Sequence, residues 1–319
     1  MYIDPSRKIL RHPERLNALR RGRAPWPINV EFDLSDRCNL RCRHCDFAHR
    51  RADRDMTLSL ARSILAQMAP RIRAVTLTGG GEPTMCPDFE GIVYRIKSHN
   101  LALGAYTNGV RFSGAFRLMD WVYVSLDAAD AESFYEVKGA DQFRTVVDNV
   151  GQLALSKDET VLGLGFLLGP HNYGDSEKMA HLGEELGVDY VQFRPIVGLD
   201  GYGWVGEALD RLAHMDAQVP VYFPAQRFVD LRDKPPRGYE VCRGSAFVPC
   251  IGADGILWVC PNTRGLRALG NLAEESFEEI WMRRPEQHVG DDCREMCRNH
   301  RLNQTLEYIC SKGAHDDFV

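Results

Sequence analysis

Three cysteines, Cys38, Cys42 and Cys45, crowd into one short loop directly after the apolar-rich segment Ile28–Leu34. Thiolates this closely spaced can occupy three corners of a cubane [4Fe–4S] cluster and leave the fourth iron without a protein ligand. That open iron is a chemical site, because a small molecule can chelate it through an amine and a carboxylate. A zinc site is the alternative and needs a fourth close ligand, for which His44 or His49 would serve. The glycine-rich stretch Gly79-Gly80-Gly81-Glu82-Pro83 downstream fits the cluster better.

The remaining cysteines sharpen the point. Ten in a 319-residue chain without an export signal point to metal centres rather than disulfides. Six of them, Cys242, Cys250, Cys260, Cys293, Cys297 and Cys310, form a second group nearly two hundred residues after the first. Two metal centres are therefore expected, with Cys86 alone between them as a structural thiol. The net charge of −5 gives no hint of a nucleic-acid surface. No apolar run approaches the roughly 18 residues of a membrane span, so a cytoplasmic protein without a membrane partner is expected.

Between the first cysteine loop and Pro195, strand and helix patterns alternate. Strands are expected at 30–34, 74–78, 101–107, 121–126, 161–168 and 190–193, with helices at 58–68, 89–98, 143–155 and 176–186. Such alternation specifies an α/β protein with a parallel sheet and right-handed crossovers. Residues 1–27 read as an N-terminal extension and 28–195 as the barrel domain. The glycines and prolines of 196–239 read as a connecting segment, and 240–319 as a second small domain. In that last domain a hairpin is expected over 247–260, turning at Gly252-Ala253-Asp254-Gly255. Ser276-Phe277-Glu278-Glu279 reads as a capping box opening a helix.

With Cys-x3-Cys-x2-Cys and Gly80-Gly81-Glu82-Pro83, the chain resembles the radical S-adenosylmethionine (SAM) superfamily. The resemblance implies a partial (β/α)6 TIM-type barrel with a [4Fe–4S] cluster on Cys38, Cys42 and Cys45. It also implies SAM bound through the open iron, with Gly80, Gly81 and Glu82 holding the amino group. His44 takes the position before the third cysteine that touches adenine in the family. Ser125 and Asp127 end the fourth strand, where ribose contacts are expected, and Asn108 and Arg194 point to the barrel mouth. An external electron donor such as flavodoxin or ferredoxin is implied. Cleavage of SAM then yields a 5′-deoxyadenosyl radical that takes a hydrogen atom from an unactivated C–H bond.

Cys242, twelve residues, Gly255, four residues and Cys260 resemble the opening motif of SPASM and twitch domains, which carry auxiliary [4Fe–4S] clusters. Six cysteines fall short of the seven a full SPASM domain uses, so a twitch-like β-hairpin plus helix with one auxiliary cluster is expected. Cys242, Cys260, Cys293 and Cys297 are its expected ligands, with Cys310 a possible replacement for either of the last two. A zinc ribbon is the competing structure. Cys250 is left over. A thiol can return a hydrogen atom to a carbon radical, as in radical SAM epimerases, or Cys250 is a buried small hydrophobe.

Three reactions compete on these grounds: epimerisation of an aminoglycoside with Cys250 as donor, dehydrogenation of an aminocyclitol through the auxiliary cluster, and peptide modification. Fewer than forty residues precede Cys38, too few for a peptide-recognition domain of about 80–100 residues, so a small-molecule substrate and the epimerase are expected. Asp127, Asp130 and Asp200 are candidate receivers of an aminosugar's ammonium groups.

Overall fold

The computed structural model describes residues 5–48, 51–294 and 297–311, and His49 lies outside them. In chain order the elements are α1 (Pro13–Arg20), β1 (Asn29–Asp33), α2 (Leu58–Met68), β2 (Ala74–Thr78), α3 (Phe89–Lys97), β3 (Ala102–Thr107) and β4 (Trp121–Ser125). There follow α4 (Ala131–Lys138), α5 (Phe143–Ser156), β5 (Val161–Leu168), α6 (Ser176–Glu185) and β6 (Tyr190–Pro195). The chain then forms α7 (Val205–Ala213), β7 (Val221–Tyr222), α8 (Ala225–Asp233), β8 (Cys250–Ile251), β9 (Ile256–Trp258), β10 (Ala268–Asn271), α9 (Phe277–Met282) and α10 (His300–Cys310).

Among the described residues ten strands form one sheet in the order β10-β9-β8-β1-β2-β3-β4-β5-β6-β7. From β8 to β7 every neighbouring pair is parallel, and β8, β9 and β10 pair antiparallel. The two ends of the sheet do not pair with each other, so the barrel is partial and open. Val30, Phe32, Val75, Leu77, Leu103 and Val122 are all at most 1% exposed, as expected of strands with side chains packed on both faces. The amphipathic helices cover the outside; α2, for example, buries Ala61, Ile64, Leu65 and Met68.

Two expectations need correction. Residues 196–239 are not a bare connector, because α7 buries Val205, Ala208 and Leu212 on one face and β7 pairs with β6 through Val191 and Val221. The glycines that suggested a loop, Gly198, Gly201, Gly203 and Gly206, sit in open space around a helix whose apolar face they do not interrupt. The second cysteine segment is also not separate at the level of the sheet. Its β8 pairs with β1, Cys250 opposite Glu31 and Ile251 opposite Phe32.

The capping box at the start of α9 forms as expected, with Ser276 and Glu279 exchanging side-chain and backbone bonds. Trp281 on that helix is fully buried and donates its indole N–H to the Pro25 carbonyl at 3.0 Å. The N-terminal extension thus packs on the C-terminal segment, where Ile9, Phe247 and Leu306 share a small core.

Candidate functional site

A cavity of about 400 Å³ opens at the C-terminal ends of the parallel strands, where loops of a β/α barrel carry chemistry. Its first wall joins the cysteine loop to the glycine turn. Gly81 donates its backbone N–H to the Ser35 carbonyl at 2.9 Å, and Glu82 donates to the Arg37 carbonyl at 2.7 Å. A Cβ on Gly81 would fall 1.9 Å from the Arg37 oxygen, so only glycine permits this approach. On its other side the loop sits on the end of α4. Arg41 and Arg43 donate their N–H groups to the Lys138 and Val137 carbonyls at 3.0 and 2.8 Å, satisfying two of the carbonyls left free at a helix C-terminus.

Glu82 is buried with every oxygen engaged. Oε1 accepts from the Thr84 N–H at 3.2 Å and from the Thr84 and Thr107 hydroxyls, each at 2.7 Å, and Oε2 accepts from the Asn108 N–H at 2.7 Å. Burial pushes its pKa up while these donors pull it back. The carboxylate therefore ties the glycine turn to the end of β3. Asn108, from the same end, donates Nδ2 to Asn39 Oδ1 at 2.7 Å and holds it 3.8 Å from Cys38 Sγ. Gly80, Gly81, Glu82, Asn108 and Ser125 all line the cavity.

Cys38, Cys42 and Cys45 are unbridged, half-buried and line the same cavity, and their thiols interact electrostatically. Burial raises the Cys38 and Cys42 pKa values, and the Lys138 charge pulls Cys42 back down. These three thiols beside a cavity fit the open-iron cluster. Among the described residues no three His, Cys, Asp or Glu side chains draw together as a single ion such as zinc requires.

Lys138, invisible as a site residue in the sequence, donates to Asp127 Oδ2 at 2.6 Å, with both side chains buried. Burial works against the ammonium, but Asp127 and Cys42 outweigh it and its pKa rises. Asp127 also accepts the Leu167 N–H at 2.9 Å. That carboxylate is thus committed to structural partners and is not on the cavity wall, which corrects its expected ribose and ammonium roles. Asp130 caps α4 through Ser133, and Asp200 lies on an exposed loop. His44 lines the cavity and stacks on His171 with centroids 5.7 Å apart, and its Nε2 is buried without a hydrogen-bond partner among the described residues.

The opposite wall is built from arginines. Arg194, at the end of β6, lies 4.5 Å from the Tyr123 ring centroid and 5.6 Å from that of Tyr106. Gly165 makes this floor possible, since a Cβ there would meet the Tyr123 hydroxyl at 2.0 Å. Arg264 pairs with Asp33 at 2.5 Å, Arg298 with Glu31 at 2.5 Å, and Arg294 with Asp46. Arg227, in the first turn of α8, completes the set.

Behind this wall Cys242, Cys260 and Cys297 interact with one another, and burial pushes the Cys297 thiol up to about 11. Asn303 Nδ2 donates to Cys242 Sγ at 3.3 Å. Cys293 lies in the loop four residues before Cys297, beside Arg267, whose electrostatic partners also include Cys260. Cys310 ends α10, about 15 Å along the helix axis from its start beside Cys297. Its electrostatic neighbours are Arg243, Glu307 and Arg20, with none of the other cysteines among them. Three of the expected five thiols, Cys242, Cys260 and Cys297, thus draw together, Cys293 lies beside Arg267 near Cys260, and Cys310 stands apart.

Cys250 is fully buried and off the cavity wall. Arg264, which does line the cavity, caps its sulfur through Nε at 3.3 Å and Nη2 at 3.1 Å, and Asp33 accepts from the thiol at 3.6 Å. Cys86 is also buried and donates to the Met56 carbonyl at 3.3 Å.

Residues 33–182 match the Radical SAM superfamily model. The mycofactocin maturase MftC of Mycobacterium ulcerans is 29% identical over 286 residues, covering 81% of this chain and 75% of that protein. MftC of Mycobacterium tuberculosis H37Rv is 32% identical over 135 residues, so there the match spans only 34% of the relative. Streptococcus suis SuiB bound to precursor peptide SuiA shares the fold, with a TM-score of 0.68 at 15% identity over 89% of this chain and 71% of that one. Among the described residues no helix is long and apolar enough to cross a membrane. Residues 33–182 thus carry the Radical SAM α/β fold, and the cofactors of that superfamily are a [4Fe–4S] cluster and S-adenosylmethionine.

Proposed function

We propose that this radical SAM enzyme is a maturase acting on a peptide, with an auxiliary cluster on Cys242, Cys260, Cys293 and Cys297. The observation that carries this reading is the withdrawal of Cys250. A hydrogen-atom donor must face the substrate radical, and Cys250 is instead buried and capped by Arg264 away from the cavity wall. The aminoglycoside epimerase expected from the sequence loses its one dedicated residue. Support for a maturase comes from MftC of M. ulcerans, whose similarity extends over 81% of this chain, and support for a peptide from SuiB, which shares the fold and binds precursor peptide SuiA.

When bound, the cluster and SAM supply one-electron chemistry that generates a carbon radical able to take a hydrogen atom. Cys38, Cys42 and Cys45 would hold the cluster, and the Gly80–Gly81 turn, locked by Glu82, would orient the amino-acid end of SAM. Lys138 offers a buried positive charge beside Cys42 and so favours the thiolate form of that ligand. The second thiol set lies behind the arginine wall, where an auxiliary cluster would exchange electrons with the cavity.

The test is anaerobic turnover of the reconstituted, reduced protein with SAM in D2O, against a peptide pool and a pool of aminoglycosides and aminocyclitols, read by mass spectrometry. A peptide changed in mass by loss of hydrogen or a small fragment is the expected result. An aminoglycoside isomer heavier by one deuterium would overturn the proposal and return Cys250 to the donor role.

A further inference from the structure

Among the described residues six arginines line the cavity, and their partners divide them. Arg264, Arg294 and Arg298 each hold a carboxylate of the protein. Arg51 donates to the Leu40 carbonyl beside the first cysteine loop. Arg194 and Arg227 are given no carboxylate or carbonyl partner among the described residues, and each, like Arg51, has a buried Nε–H without a hydrogen-bond partner there. Buried guanidinium donors are normally paired, because desolvation of an unpaired cation is costly. The Tyr123 and Tyr106 rings offset part of this for Arg194 through their π faces.

We propose that Arg194 and Arg227 form a subsite that receives a carboxylate of the substrate. The planar donor fork of arginine matches a carboxylate, and the first turn of α8 adds the positive end of a helix dipole at Arg227. The charged neighbours of Arg227 are Arg194, Cys297, Arg298 and Arg294, none of them in the Cys38–Cys45 loop. Arg227 thus stands on the side of the cavity toward Cys297 of the second thiol set. A substrate anchored here would lie between that loop and the second thiol set. The inference rests on the radical SAM site and deepens the peptide reading by naming the group recognised, either a chain terminus or an acidic side chain.

The experiment is equilibrium dialysis of the cluster-loaded protein with SAM, under anaerobic conditions, against four pools read by mass spectrometry. These are short peptides with free C-termini, the same peptides as neutral C-terminal amides, the amides carrying one Glu, and small non-peptide carboxylic acids with their primary amides. Acids should be retained over neutral amides by about tenfold or more, a preference that Arg227→Gln erases and Arg227→Lys partly restores. Retention of free-terminus peptides alone assigns the subsite to a chain end, and equal retention of the Glu-bearing amides assigns it to a side chain. Both outcomes uphold the proposal. Preference among the non-peptide acids with no peptide retained upholds the subsite and rejects the peptide reading. Equal retention of acids and neutral amides, or no retention at all, overturns the proposal. That comparison uses the unaltered protein and decides the matter even if Arg227→Gln fails to load iron.

Discussion

Glu31 and Cys250 stand opposite each other across the parallel β1–β8 pair, so the second cysteine segment hangs directly on the first strand of the barrel. Arg264 and Arg298 reach back across this junction to Asp33 and Glu31. Barrel and C-terminal segment should therefore unfold as one unit. Calorimetry should show a single transition, and its midpoint should fall when Ile251→Ala opens a cavity in the shared core, a stability loss of about 2–5 kcal/mol. Two resolved transitions would show that the segments fold independently.

Gly81→Ala should damage the first site through the backbone alone. The added methyl would stand 1.9 Å from the Arg37 carbonyl oxygen and push the glycine turn off the cysteine loop. Overpacking of this kind costs about 1–3 kcal/mol. SAM binding to the variant should weaken at least several-fold in equilibrium dialysis, and unchanged affinity would refute the close approach.

The Lys138–Asp127 pair is buried on both sides. Lys138→Met leaves a buried carboxylate without its cation and should cost about 3–5 kcal/mol in denaturant unfolding. The double variant Lys138→Met, Asp127→Asn removes both charges and should recover much of that loss. Failure to recover would mean that Lys138 contributes chiefly through the cysteine loop rather than through Asp127.

Asp33 predicts a pH dependence. Burial raises its pKa to about 6, against the opposing pull of Arg264 and the Thr78 hydroxyl. Its folded-state pKa therefore lies above the unfolded value, and the folded protein binds the proton more tightly. Stability from this group is complete below the unfolded pKa and is lost as pH rises through about 6. Asp33→Asn should flatten the change in thermal midpoint between about pH 5 and about pH 7.5, on either side of the folded pKa. An unaltered slope would show that other groups set it.

Iron analysis checks the second thiol set. Cys297→Ala should lose about four irons per chain, whereas Cys310→Ser should keep the full complement, because Cys310 sits at the far end of α10. Loss of iron from the Cys310 variant would reinstate it as a ligand.

The six parallel strands and four of the helices between them were legible because their side chains are apolar in continuous runs or at helical spacing, whereas α4 was not. Residues 74–78, 161–168 and 58–68 form the expected elements to the residue. Residues 196–239 misled because glycine and proline mark loops, yet Val205, Ala208 and Leu212 find a barrel surface to cover and so form a helix. Lys138, Arg227 and Arg264 carried no local signal. Each is an ordinary charged residue until the fold sets it beside Cys42, Arg194 or Cys250.

The sequence by itself determined the first cysteine loop, the glycine turn and the alternating β/α order, because short-range spacing and periodicity encode them. Only the tertiary structure decided that β8 joins β1, that Arg264 covers Cys250, and that Arg194 and Arg227 share one cavity. Those relationships join residues far apart in the chain, through sheet register and burial that no local pattern records.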